Sequence, residues 1–304
     1  MRRFASALLA LATVALRAAP AARPDLTGVW ANTILTPLER PRALGDRAFF
    51  TEAEAREFEN PDRVFERWKA ARDPAERQIS TEIVSPFADT ARRTVGADRR
   101  ASLIVDPPDG RLPARTADGQ RRAAEGTPAR PYRPYENPEE LLPGDRCLIW
   151  GAGPPMIPLP NNSYIQIVQT PSQVLIFHES MHDTRIVPLD GRPHLPPAIR
   201  VWKGDPRGHW DRSTLVVEST NFTPKTTIEG SGERMRVVER FSRPSRDALR
   251  YEATVVDPDS FARPWTVAWT MARTDERIFE YACHEANYSM ELTLRGARAQ
   301  DRPR

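Results

Sequence analysis

The chain is 304 residues long and carries 44 basic against 41 acidic side chains, a formal charge of +3. So balanced a surface, with no basic patch interleaved with aromatics, gives no footprint for a nucleic-acid partner. Beyond the N-terminus no segment approaches the roughly 20 consecutive apolar residues that a membrane-spanning helix needs.

The N-terminus has Arg2 and Arg3, an apolar run over 4–16 and small residues at Ala19-Pro20-Ala21. This is the composition of a secretory signal over 1–21, which places the mature protein in the periplasm or outside the cell, free of the membrane once cleaved. The remainder, 25–300, suffices for one large domain. Gly28-Val29-Trp30 opens it. Thr51 and Glu54 then stand in the T-x-x-E spacing of a capping box, predicting a short helix through Ala55 and Phe58. A second short helix is expected beyond Pro61, carrying Val64, Phe65 and Trp68.

Residues 102–105 are an apolar island before Asp106-Pro107-Pro108-Asp109-Gly110, a composition that reverses the chain and suggests a hairpin. Residues 111–140 are polar and proline-rich, as in a long wrapping loop. Together these make a helical and loop-rich insertion at about 37–145.

From Cys147 onward the pattern becomes β. Runs of strand length rich in Val, Ile, Thr and aromatics fall at 164–169, 173–177, 184–189, 213–218, 236–241, 249–256, 265–271 and 278–284. Leu249, Tyr251, Ala253 and Val255 alternate with Arg250, Glu252 and Thr254, and Trp265, Val267, Trp269 and Met271 repeat the pattern. Tight turn signals separate the runs, so the fold expected is mainly β, an antiparallel meander closing into a barrel. Cys147 and Cys283, 136 residues apart in the exported part of the chain, are expected to form a disulfide.

Two resemblances bear on this. Gly28 and Trp30 at the head of the meander are similar to the G-x-W of calycin (lipocalin-like) barrels, which implies a cavity for a small, partly apolar ligand. SLIVDPPDGR (102–111), RCLIWGAGPPM (146–156), HDTRIVPLDGRPH (182–194), GDPRGHWDRSTLVVESTNF (204–222) and YACHEANY (281–288) together resemble a large family of exported bacterial β-rich proteins of unknown function. The second resemblance implies export and a β-rich fold, and no reaction.

Chemistry concentrates in 173–194, which holds three of the five histidines. His178-Glu179-Ser180-Met181-His182 is an H-E-x-x-H: on a helix, His178 and His182 would share a zinc ion with Glu179 as base, the pattern of a zinc peptidase. The β-branched Val174, Ile176, Thr184, Ile186 and Val187 favour two strands around a turn instead. On that preferred reading no metal or cofactor is expected. The protein binds a small molecule, and any catalysis is acid–base chemistry of lyase, isomerase or hydrolase type. His182 is then the base, Asp183 orients it, Arg185 holds an anionic group and His284 approaches from the last strand, while His178, Arg192, His194 and Glu285 are further ligand-binding candidates.

Overall fold

The fold is given by a computed structural model that describes residues 23–60, 94–125, 137–141, 143–151, 153–159, 162–225 and 228–300. Its strands are β1 (Gly28–Ala31), β2 (Ile104–Asp106), β3 (Tyr164–Gln169), β4 (Gln173–His178), β5 (Asp183–Pro188), β6 (Asp205–Asp211), β7 (Thr214–Thr220), β8 (Arg236–Ser245), β9 (Ala248–Val256) and β10 (Trp265–Thr274). Among the described residues three α-helices accompany them: α1 (Glu52–Glu59), α2 (Ala117–Glu125) and α3 (Ser289–Gln300). The expected signal segment and the second helix beyond Pro61 lie outside the described residues. Among the described residues no helix is long and apolar enough to cross a membrane.

The strands form one antiparallel sheet in the order β5-β4-β3-β1-β10-β9-β8-β7-β6. Short turns make two meanders, β3 to β5 and β6 to β10, and β1 pairs with both β3 and β10 to join them. β10 is long enough for its second edge to be shared: β1 takes the end at 272–274, and β2 takes the end at Thr266 and Val267. Pro244 has no N–H to give a ladder, and the β8–β9 register shifts there, between Ser242 and Ser245.

Alternation decides which face is buried. Leu249, Tyr251, Ala253 and Val255 are wholly buried, as are Trp265, Val267 and Met271. Ile165, Ile167, Val174, Ile176, Leu215, Val217, Val237 and Phe241 complete the same core from the other strands. Each large apolar side chain so buried contributes about 2 kcal/mol. Trp30 is fully buried in β1; its indole N–H donates to the Leu26 carbonyl (3.0 Å), and the Arg243 guanidinium lies 5.5 Å from the ring centroid. A smaller cluster, Phe50, Ala55, Val95 and Ala101, packs under α1. That helix has the expected capping box: Glu54 N donates to Thr51 Oγ1 (3.2 Å) and Thr51 N to Glu54 Oε2 (2.8 Å).

Four local expectations are corrected. The reversal at 106–110 forms, with Gly110 at φ 68° donating its N–H to the Pro107 carbonyl, but β2 pairs with β10 and not with a returning strand, because Pro107 and Pro108 have no N–H to offer. The expected loop at 111–140 contains α2, started by Thr116 Oγ1 accepting from Gly119 N (3.0 Å). Gly119 packs so tightly that a Cβ there would meet the Ser260 carbonyl oxygen at 2.3 Å; packing, not propensity, holds this short helix. Residues 205–211, outside the runs of strand composition, form β6. Residues 278–284, expected as a strand, form none: both edges of β10 are occupied, and this segment is held by side chains and a disulfide instead.

Candidate functional site

Register places the chemistry of the β4–β5 hairpin. His178 stands opposite Asp183 and Ile176 opposite Arg185, so strand alternation directs His178 and Arg185 to the buried face along with Val174, Ile176 and Val187. There Arg185 meets Glu239 of β8 through two parallel hydrogen bonds, Nη1 to Oε2 at 2.7 Å and Nη2 to Oε1 at 2.9 Å. The two side chains are 2% and 0% exposed. Tyr251 of β9 donates its hydroxyl to Glu239 Oε1 (2.8 Å) and accepts from Met156 N (3.0 Å). Strands β5 and β8 are far apart in sheet order, so this contact shows that the sheet curls its inner face upon itself.

Electrostatics fix the protonation states. Burial works against the charge of Arg185, but Glu239, by its charge and its hydrogen bonds, outweighs it and raises the guanidinium pKa. Burial, then the Glu239 charge, pushes the Tyr251 hydroxyl well above its ordinary value, so it stays a donor. Lys203 donates to Asp183 Oδ1 and to the Thr184 carbonyl (3.1 Å); burial lowers its pKa against the pull of that carboxylate. His178 is held well below 6.5, first by burial and then by the charges of Arg185 and Lys203, and is therefore neutral at pH 7. Each acid is thus matched by a base. Within this cluster three buried polar atoms stay without a partner: Arg185 Nε, His178 Nε2 and Asp183 Oδ2.

A measurable consequence follows for His178. The unfolded chain takes up a proton near pH 6.5 while the folded chain resists it, so stability present above that pH is lost as pH falls below it. The His178→Gln protein is expected to lose less stability than wild type between pH 7.5 and pH 5. The difference is at most about 1.4 kcal/mol per pH unit below 6.5, read from denaturant unfolding at the two pH values. Equal pH dependence of the two proteins contradicts a buried, neutral His178.

The remaining candidates are dispersed. Residues 180–182 are a short 3-10 turn with Met181 and His182 at positive φ, and 173–178 are strand, so the helix that an H-E-x-x-H zinc site requires does not form. His178 points inward, whereas His182 is exposed with its ring edge-on to Phe177 (4.8 Å). Asp183 is engaged by Lys203, not by His182, and Arg185 by Glu239. Arg192 closes on Asp190 (Nε to Oδ2, 2.8 Å), and the carboxyl is held down to about 2 by the hydrogen bonds from Arg192, the mark of a surface loop clamp. His194 Nδ1 lies 3.1 Å from Asp205 Oδ2, and Asp205 also takes the Leu195 N–H and Arg207. His284 and Glu285 are exposed on the segment after β10. Among the described residues no group of three His, Cys, Asp or Glu side chains is placed to hold a metal ion.

Glu179, the middle acid of the H-E-x-x-H, is a latch. It is 3% exposed, and Oε1 accepts from Phe279 N (3.1 Å) while Oε2 takes Tyr164 N (3.4 Å). The Cys147–Cys283 disulfide is formed, with Cα atoms 5.8 Å apart, and fixes the same segment. Glu239, Tyr251 and Lys203 are the members of the cluster that the sequence reading does not place among the site residues. For Glu239 a signal exists: it sits in phase with Val237 and Phe241, an acid on an otherwise apolar strand face. Comparison of the chain with protein-family models, with curated proteins and with solved structures finds no match.

Proposed function

We propose that this is an exported small-molecule-binding protein whose curled sheet closes as a calycin-like barrel and whose interior cluster reads the polar end of the ligand. The observation that carries the reading is the set of three unpartnered buried atoms on a charge-balanced face: a donor at Arg185 Nε, an acceptor at Asp183 Oδ2 and the neutral imidazole of His178. A buried polar atom without a partner costs about 1–3 kcal/mol, which a ligand that supplies the missing bond recovers. Because Arg185 is neutralised by Glu239 and Asp183 by Lys203, the head group that fits is neutral and bears both a donor and an acceptor, with an apolar body against Ile165, Ile167 and Ile176.

Closure is supported by the approach of the two end strands. Lys203, just before β6, binds Asp183 and Thr184 at the start of β5, and a Cβ at Gly208 of β6 would lie 2.7 Å from Val187 of β5. Export is supported by the leader composition of 1–21, by the disulfide and by the motifs resembling exported β-rich proteins. A catalytic form of the reading transfers the base from His182 to His178, the imidazole beside Arg185.

Native and denaturing intact masses of the protein recovered from the periplasm test both parts. The expected chain starts at Ala22, and an organic adduct is present natively, lost on unfolding and absent from an Arg185→Met, Glu239→Leu double variant. A retained leader refutes export. A bare wild-type chain, with no thermal shift on exposure to a library of neutral metabolites, refutes the interior site.

A further inference from the structure

Outside the core, a pocket of about 400 Å³ opens between the loop at 144–150 and the segment after β10, lined among others by Gly144, Asp145, Trp150, Glu280, Tyr281 and Asn287. Two acidic residues, Asp145 and Glu280, and two aromatic ones, Trp150 and Tyr281, line this space, and no Lys or Arg is among its described lining residues, on a chain whose formal charge is +3. We propose that this pocket binds an organic ammonium cation. The inference is independent of the interior ligand.

The chemistry is complementary. An aromatic face attracts a cation through its quadrupole, methylated or alkylated ammonium groups lose little hydration on entering, and a nearby carboxylate adds a charge term. Trp150 is 41% exposed yet fixed: its indole lies against Gly144, with ring atoms 3.5 Å from where a Cβ would stand. Burial, then the charge of Asp145, raises the Tyr281 hydroxyl pKa, which places the negative field of Asp145 on the second ring.

The walls are also built, not incidental. Ser180 Oγ donates to the Trp150 carbonyl (2.8 Å), and Glu179, one residue earlier, takes Phe279 N (3.1 Å) beside Glu280. Both walls therefore hang from one turn. The Cys147–Cys283 disulfide ties them, and Asn287 Nδ2 bridges to the Asp145 carbonyl (3.4 Å) and Cys147 Sγ (3.3 Å). A ligand meets the Trp150 ring and the backbone of both walls already in position, which reduces the ordering cost of binding.

Titration calorimetry of the oxidised full chain with choline and with its neutral isostere 3,3-dimethylbutan-1-ol decides the matter. Choline is expected to bind at least about tenfold tighter than the isostere. Trp150→Leu is expected to weaken choline about tenfold, and Glu280→Gln, an exposed position that leaves unfolding unchanged, several-fold. Equal binding of the two alcohols, no heat with choline, or unchanged choline affinity in both variants overturns the proposal.

Discussion

Glu239→Ala is expected to destabilise the protein by about 3–5 kcal/mol, the largest effect of any single polar substitution in the core. The reason is the state of what remains. Arg185 is 2% exposed and cannot lose its proton, so removal of its carboxylate leaves a cation in an apolar interior. Tyr251 loses its acceptor at the same time. The converse holds for the pair. Arg185→Met with Glu239→Leu replaces both ions by apolar side chains of similar volume, and that gain is set against the Tyr251 donor still left without its acceptor, so the double variant is expected within about 2 kcal/mol of wild type. Denaturant unfolding of the single and double variants measures both. A single variant within about 1 kcal/mol of wild type contradicts a dry ion pair. The stable double variant is also the control for ligand binding, since it deletes the donor at Arg185 Nε while keeping the fold.

That same pair marks the limit of what the sequence discloses. The alternation of Leu249, Tyr251, Ala253 and Val255, and of Trp265 to Met271, names the buried face residue by residue, because a strand's period is set by covalent geometry. Glu239 breaks an apolar alternation and so declares itself as buried. Its partner, 54 residues away in β5, is chosen by how the sheet curls, which no local pattern encodes. For the same reason the cluster expected around His182 and Arg185 divides: Arg185 faces in, and the left-handed Met181 and His182 turn the imidazole outward onto Phe177.

The strand errors have a common origin. Ile278, Phe279 and Tyr281 have strand composition but meet no open edge, whereas Asp-Pro-Arg-Gly-His-Trp-Asp at 205–211 has poor strand composition and pairs fully with β7. Strand propensity measures the fit of a side chain to a pleated surface, and the availability of an edge decides whether that surface exists. Gly208 in β6, where a Cβ would collide with Val187 and Leu189, is there for close approach of β5 and reads in sequence as a turn residue.

Cys147→Ser with Cys283→Ser is the second large effect. The disulfide closes a loop across a separation of 136 residues, for which the chain-entropy relation gives about 5 kcal/mol as an upper value. In a chain of this size that corresponds to a fall in Tm on the order of 10 °C. Part of the loss is local. The segment between β10 and α3 contributes no strand to the sheet, and its ties to the rest of the protein include the Phe279 N–H bond to Glu179, the Asn287 bonds and the disulfide itself. Without the disulfide this arm opens at lower cost than global unfolding, and trypsin is expected to cut after the exposed Arg277 at least about tenfold faster than in the oxidised protein, before the core is touched. Reduction of the wild type reproduces both effects. An unchanged Tm together with unchanged cleavage at Arg277 shows instead that the hydrogen bonds alone seat the arm, and that the two walls of the Trp150 pocket keep their geometry without the covalent tie.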